Sequence, residues 1–301
     1  MSVSQHFPEF SDMNGPVEVA IIGGSGLYAL AGLEKYEEIN VDTPFGPPSD
    51  ALIVGELERR QVAFLARHGR MHRLLPTEIN YRANVFALKS IGVERILSAS
   101  AVGSMRERIR PRDIVLVDQF IDRTHQRPVT FFGDGLAVHI SFADPICPVV
   151  RAAIREAALR NGATLHDGGT YLCIEGPAFS TRAESKLYRS WGVDVIGMTN
   201  LQEAKLAREA EMCYATMALV TDYDCWHEDE EDVSVSSVVD NLKANSELAA
   251  ATLRAAIRSL PDARESCGCG EALRFGLITP REAVPQKTIE RLKPLIGKYF
   301  E

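Results

Sequence analysis

Short apolar runs rich in β-branched residues recur along this chain, and helical patterns separate several of them. That alternation constrains the fold more than any other feature. Strands are expected at 17–24, 51–57, 61–67, 93–100, 113–120, 169–175, 193–199 and 211–222. Helices are expected at 80–92, 148–162, 181–192 and 201–210, with a longer one from 233 to about 260. Runs such as VDVIGM are apolar almost throughout, which suits a sheet covered on both faces. The expected fold class is α/β: a single domain with a central mixed, mostly parallel β-sheet flanked by helices. The expected boundaries are a flexible N-terminal segment at 1–16, the main domain at 17–260, and a short C-terminal appendage at 261–301 that holds a CGC motif and a small terminal helix.

With 301 residues, 46% of them hydrophobic, the chain is long enough to bury a full core. Its formal net charge of −8 argues against nucleic acid or an anionic membrane as partner. The first fifteen residues show neither a basic nor an apolar signal region, and no apolar run is long enough to span a bilayer. A cytoplasmic protein is expected. Six cysteines are scattered at 147, 173, 213, 225, 267 and 269, and in that compartment they are expected to be reduced.

Five stretches place chemistry at strand ends. AIIGGSGLYAL runs from a strand into Gly23, Gly24, Ser25 and Gly26, which suits an anion-binding turn with Ser25 as a hydroxyl donor. Its Gly24-x-Gly26-x-x-Ala29 spacing also fits a dinucleotide fingerprint, but the three prolines that follow break such a unit. LARHGRMHR offers Arg67 for forked hydrogen bonds to phosphate, with His68 as a second donor. His68 and His72 stand four apart as helical zinc ligands do, but Gly69 directly after a strand argues against a helix there, so no metal is expected. SASAVGS adds the Ser100 hydroxyl and the Ala101 backbone N–H. CIEGPAFSTRAES places Phe179 in a loop, where a ring can stack on a flat ligand, and begins a helix at Ser-Thr. VIGMTN ends in Met198 and Thr199, a soft side chain followed by a hydroxyl. Ligands bind at the carboxyl ends of strands in open α/β sheets, so the convergence of these ends carries more weight than any one of them.

A sixth stretch, ATMALVTDYDCW, ends an apolar strand in Asp222 and Asp224. Alternation along a strand allows both carboxylates to share a face. Such a pair suits a metal, acid/base chemistry, or a ligand that donates hydrogen bonds.

Together the motifs IIGGSGLY, TPFGPPS, RHGR-H, NYRANVFALKSIGV, SAVGSMRE-I-P-DIVLVDQFIDRT--RP, IEGPAFSTRAES, GMT--EA-LA-E and TDYDCW resemble those of the trimeric purine nucleoside phosphorylase family, in its S-methyl-5′-thioadenosine phosphorylase branch. The resemblance spans roughly residues 17–260 and implies phosphorolysis of methylthioadenosine to adenine and 5-methylthioribose 1-phosphate. By that resemblance Ser25, Arg67, His68, Ser100, Ala101 and Thr199 surround phosphate, and Met198 lies on the ribose. Phe179 and Ser180 flank the base. His139 from a neighbouring subunit, with Val235 and Val238, lines the methylthio pocket. Inorganic phosphate is the co-substrate, no cofactor is expected, and a homotrimer or a dimer of trimers is implied.

On this basis Asp222 is expected to face purine N7 and supply or share its proton, with Asp224 at the 6-amino edge. An ionised carboxylate only accepts hydrogen bonds, which suits an amino purine and not a 6-oxo one. The 6-oxopurine branch carries Asn at the Asp222 position. Ser25 and Ser100 replace threonines common in the branch, and Gly197 stands where many relatives carry Asn. The CGC motif resembles that of heat-stable members, in which Cys267 and Cys269 would form a disulfide; a free dithiol is the alternative. The rival functions are a broader purine nucleoside phosphorylase acting on adenosine or 6-oxopurine nucleosides, a nicotinamide-dependent oxidoreductase, a metal-dependent hydrolase built on Asp222, Asp224 and His68, and a non-catalytic nucleoside-binding protein.

Overall fold

The computed structural model describes residues 16–24, 34–227, 235–264 and 267–301. Ser25 and nearly all of the expected N-terminal segment lie outside the described residues. In chain order the strands are β1 (Val19–Gly23), β2 (Glu34–Ile39), β3 (Leu52–Leu57), β4 (Arg60–Ala66), β5 (Arg95–Ser104), β6 (Ile114–Leu116), β7 (Gln119–Arg123), β8 (Leu165–Asp167), β9 (Thr170–Ile174), β10 (Val195–Gly197) and β11 (Cys213–Asp222). The helices are α1 (Tyr81–Ser90), α2 (Pro148–Arg160), α3 (Arg182–Ser190), α4 (Asn200–Glu209), α5 (Val235–Ser259), α6 (Gln286–Arg291) and α7 (Lys293–Ile296).

The sheet is mixed and mostly parallel. The parallel pairs are β1–β4, β1–β5, β5–β11, β6–β8, β7–β9 and β9–β10. The antiparallel pairs are β2–β3, β3–β4, β5–β10 and β6–β11. β5 organises the sheet. One edge pairs with β1 along its first half and with β10 at its end, while the other pairs with β11 from Arg95 to Gly103. Every residue of β1 is buried, as is every residue of β11 but its last. This is what apolar runs covered on both faces require. Helices α2 and α5 pack on each other and on β11, and α4 packs on α1, β5 and β11.

Local signals explain most of the boundaries. Asn80 caps α1 by accepting the Ala83 N–H at 3.1 Å. Thr181 and Glu184 form a reciprocal capping box that starts α3. One strand expectation needs correction, and two strands, β2 and β8, were not expected. The run 113–120 is not one strand: β6 pairs with β11 and β8, whereas β7 pairs with β9. The break falls at Asp118, whose carboxylate accepts the Gly169 N–H at 3.2 Å. β2 is a charged edge strand, EKYEEI, whose composition reads as a solvated loop. β8 has only three residues, too few for any period to be seen.

The C-terminal segment is continuous with the main core. Leu273, Val284, Leu292, Leu295 and Ile296 are buried in the same cluster as β1, β4 and β11. The small terminal helix expected there is two short ones, α6 and α7, separated at Leu292.

Candidate functional site

Arg67 follows β4, and its N–H bonds to Gly23 O at 3.0 Å, which carries the β1–β4 pairing to the strand ends. Its side chain is 1% exposed. The guanidinium forks onto Glu203, with Nη2 to Oε2 at 3.1 Å, and also donates to Ala99 O at 3.0 Å and Ser98 Oγ at 2.7 Å. Of its five N–H donors, one on Nη1 is left for a ligand. Burial opposes its charge, and the Glu203 carboxylate more than offsets this, holding the guanidinium above its ordinary pKa.

His68 is buried beside it, with Nδ1 2.9 Å from Leu74 O. Burial and then the Arg67 charge push its pKa down to about 4. The neutral ring therefore keeps its hydrogen on Nδ1, which leaves Nε2 as an acceptor. That is the reverse of the donor role expected from sequence. The rings of His68 and His72 stack at 4.2 Å.

Ser100 lies on β5 opposite Ala218, followed by half-buried Ala101 opposite Leu219. The Ser100 hydroxyl donates to Asn200 Oδ1 at 2.6 Å. Asn200 opens α4, and its amide donates to Ser98 Oγ at 3.1 Å and Glu203 Oε2 at 3.3 Å. Thr199 precedes it, buried, and makes no side-chain cap. The uncapped start of a ten-residue helix leaves backbone N–H groups for an anion. Arg67, Ser98 and Ser100 thus share one network that centres on Glu203 and Asn200, with His68 and Thr199 next to it along the chain.

The two carboxylates sit farther along the same strands. Asp222 is the last residue of β11. The pairing with β5 shifts there: Val220 lies opposite Val102 and Asp222 opposite Gly103, which leaves Thr221 as an inserted residue. Asp224 is not on the strand. It occupies a turn at φ 53°, where its N–H donates to Asp222 Oδ1 at 2.8 Å. A bulge followed by an Asx turn, not strand alternation, brings the two acids together. Gly103 makes room for them, because a Cβ there would stand 2.8 Å from Asp222 Oδ1.

Each acid has its own hydroxyl donor. Thr221 Oγ1 donates to Asp222 Oδ2 at 2.7 Å, and Ser185 Oγ donates to Asp224 Oδ2 at 2.5 Å. Burial raises the pKa of Asp222, with the Thr221 and Asp224 donors pulling it back. Burial also raises Asp224; the Ser185 donor opposes the rise and the Asp222 charge adds to it. Trp226 closes this end, its indole N–H on Ser104 O at 2.7 Å and its ring edge-on to Tyr223. Phe179 is 45% exposed, and the Ser180 hydroxyl lies beside the Asp224 carboxylate, whose charged form it favours.

Met198 joins the two ends. Its sulfur lies against Gly176, where a Cβ would be 2.5 Å from it, and Arg127 binds its carbonyl. Gly197 has a tertiary cause: a Cβ there would lie 2.1 Å from the Tyr171 hydroxyl, which occupies the space of a side chain. Val238 is half-buried on α5. One turn later Asn241 Nδ2 bonds Thr221 O at 2.7 Å, which anchors that helix face beside Asp222. The Val235 side chain lies outside the described residues.

His139 is not brought into this site. It is exposed, with its N–H on Gly276 O at 2.9 Å, and lines a separate pocket of about 480 Å³ with Phe132, Leu136, Val138 and Thr279.

Sequence reasoning missed Ser98, Asn200, Glu203, Arg127 and Tyr171. Glu203 had a signal: it falls on the buried side of α4 between Leu201, Ala204 and Leu206, and it is 2% exposed. Arg127 stands in the RP pair that closes one of the quoted motifs, and it gathers the carbonyls of Ile174, Glu175 and Met198 with Gln202 Oε1.

Comparisons with known proteins agree in direction. A family model described as the phosphorylase superfamily matches residues 18–258. An S-methyl-5′-thioadenosine phosphorylase of Koribacter versatilis is 56% identical over 283 residues, covering 94% of this chain and 97% of that protein. The one of Gloeobacter violaceus is 57% identical over 285 residues, covering 93% and 95%. Among solved structures, a methylthioadenosine phosphorylase from an antarctic soil metagenomic library superposes with a TM-score of 0.88 at 48% identity, covering 93% of this chain and 99% of the other. The Schistosoma mansoni enzyme in complex with adenine gives 0.81 at 35% identity, covering 86% and 96%.

Proposed function

Because this chain belongs to the phosphorylase superfamily, in its methylthioadenosine phosphorylase branch, we infer that the site at the ends of β4, β5, β10 and β11 is where the chemistry occurs. The protein is a purine nucleoside phosphorylase-type pentosyltransferase. It cleaves S-methyl-5′-thioadenosine with phosphate to adenine and 5-methylthioribose 1-phosphate.

The observation that carries the residue assignment is the spacing along β5. Ser100, at the phosphate end, and Gly103, against Asp222, are three residues apart, about 10 Å of strand. Such a separation spans a phosphate held beneath C1′, the glycosidic bond, and a side chain hydrogen-bonded to the base. Phosphate takes the α4 N-terminus and the last Nη1 hydrogen of Arg67, and the Ser100 hydroxyl turns to it from Asn200 Oδ1; Ser25 and the Ala101 N–H complete the cradle. His68 Nε2 accepts the phosphate O–H, which orients an ionised oxygen toward C1′. Fixing the nucleophile in line removes much of the entropic part of the barrier. Met198 supports the ribose where positive charge develops.

The departing purine becomes negative at N7. Asp222, whose pKa burial has raised, supplies or shares the proton there, and Asp224 accepts from the 6-amino group with Ser180 at its side. These interactions strengthen as the bond breaks, so they accelerate the step and do not merely bind substrate. Phe179 stacks on the base. Val235 and Val238 enclose the methylthio group, and His139 reaches that pocket from a neighbouring subunit. On this reading the enzyme is a homotrimer or a dimer of trimers, uses no cofactor, and works in the cytoplasm. No helix among the described residues is long and apolar enough to cross a membrane.

The test is a product assay with methylthioadenosine, with and without phosphate, run in parallel with adenosine and inosine. Adenine release that requires phosphate, favours methylthioadenosine and ignores inosine is expected. Release without phosphate would leave Arg67 and His68 without a role.

A further inference from the structure

Four of the six cysteines, distant in sequence, meet at one point. Cys147 caps the start of α2, Cys213 opens β11, and Cys267 and Cys269 come from the C-terminal segment. Their sulfurs all lie within 4.8 Å of one another, and none is bonded to another. Cys213 and Cys267 approach to 3.4 Å. Cys147, Cys213 and Cys269 are buried, and Cys267 is half-buried.

We propose that Cys147, Cys213, Cys267 and Cys269 form a four-thiolate site for one structural zinc ion. Zinc–sulfur bonds of about 2.3 Å in a tetrahedron put the sulfurs about 3.8 Å apart, so the existing cluster needs shifts of less than about 1 Å. An all-sulfur donor set selects a soft ion with tetrahedral preference.

The surroundings suit the charge. Four thiolates and a zinc ion carry a net negative charge, and the thirteen-residue α2 directs its N-terminus at Cys147. Two cations hold the same loop: Lys298 Nζ donates to Gly270 O at 2.9 Å, and the Arg264 guanidinium packs against Gly270.

The frame is also pinned from outside the cluster. The Cys147 N–H binds Tyr214 O at 2.8 Å, and the Cys213 N–H binds Glu94 O at 2.8 Å. Buried Glu211 ties β11 to the C-terminal segment through the Leu273 N–H at 3.0 Å, the Tyr299 hydroxyl at 2.6 Å and Lys298 at 2.6 Å. Such partners orient metal ligands. The site lies at the start of β11 and the acids at its end, about 30 Å of strand away. The ion takes no part in phosphorolysis; it fastens the C-terminal segment to the core.

The experiment uses the full chain, purified with reductant under anaerobic conditions, freed of metal and titrated with zinc or cobalt(II). About one ion per chain is expected. The cobalt form should show thiolate charge-transfer and tetrahedral d–d bands, and loading should raise Tm. Cys269→Ser should lose the cobalt bands but keep phosphorolysis. The native-chain spectrum does not depend on how that variant folds. No tight binding and no tetrahedral cobalt spectrum would overturn the proposal. So would mass spectrometry that finds these four cysteines paired as disulfides in protein never exposed to oxidant.

Discussion

Asp222→Asn separates proton donation from base recognition with little disturbance of the fold. Asp222 Oδ1 accepts the Asp224 N–H at 2.8 Å, and an amide oxygen can accept it equally well. On Oδ2 the Thr221 hydroxyl donates at 2.7 Å, and an amide nitrogen would face it as a donor. Thr221 can turn its hydrogen to Val102 O, already 3.2 Å away, and accept from the amide instead. Stability should therefore change by no more than about 0.5 kcal/mol. Loss of the proton donor should lower kcat/KM for methylthioadenosine by about 10²–10⁴-fold. Asp222 reaches the N7 side of the base next to the 6-position, and in its ionised form it offers a 6-oxo group only acceptors; that buried mismatch costs about 1–3 kcal/mol. Removing it should raise the inosine-to-adenosine ratio of kcat/KM by about 5–150-fold. The assay is release of adenine and hypoxanthine at matched phosphate, with a urea midpoint for each protein. An unchanged ratio in a variant of unchanged stability would refute the account of base selection.

Three further outcomes follow from the packing. Glu203→Gln leaves the Arg67 charge buried without its counter-charge and should cost about 3–5 kcal/mol in urea unfolding; a loss under 1 kcal/mol would show the pair to be dispensable. Burial pushes Glu209 up to about 7 from an ordinary 4.5, although the Phe131 N–H favours its charged form. The folded chain holds that proton more tightly than the unfolded one, so this group's contribution is complete below pH 4.5 and is lost as pH rises through about 7. Glu209→Gln should abolish up to about 3 kcal/mol of that fall, seen as a flatter profile of Tm against pH. Gly197→Asn drives a side chain into the Tyr171 hydroxyl and should destabilise by about 1–3 kcal/mol, relieved by a second change, Tyr171→Val; a single variant as stable as the parent would mean that Tyr171 yields freely.

What the sequence by itself determined was local and periodic. Apolar runs and capping residues such as Asn80 and Thr181 announced most of the strands and helices, because those signals act over a few residues. The strand-end donors were legible for the same reason: Arg67, Ser100, Thr199 and Asp222 each end or follow a readable apolar run. Tertiary structure decided what depends on separation and register. Arg67 looked like a free phosphate ligand until Glu203, 136 residues away, claimed two of its donors. His68 read as a donor until Leu74 O took its Nδ1 hydrogen. Alternation accounted for the acid pair until a bulge at Thr221 and a left-handed turn at Asp224 proved to set it. Gly197 looked like a lost amide until Tyr171 was seen to fill its place, and the CGC motif looked self-contained until Cys147 and Cys213 closed around it. A side chain's partners across the fold depend on excluded volume and strand register, and neither is written in the few residues around it.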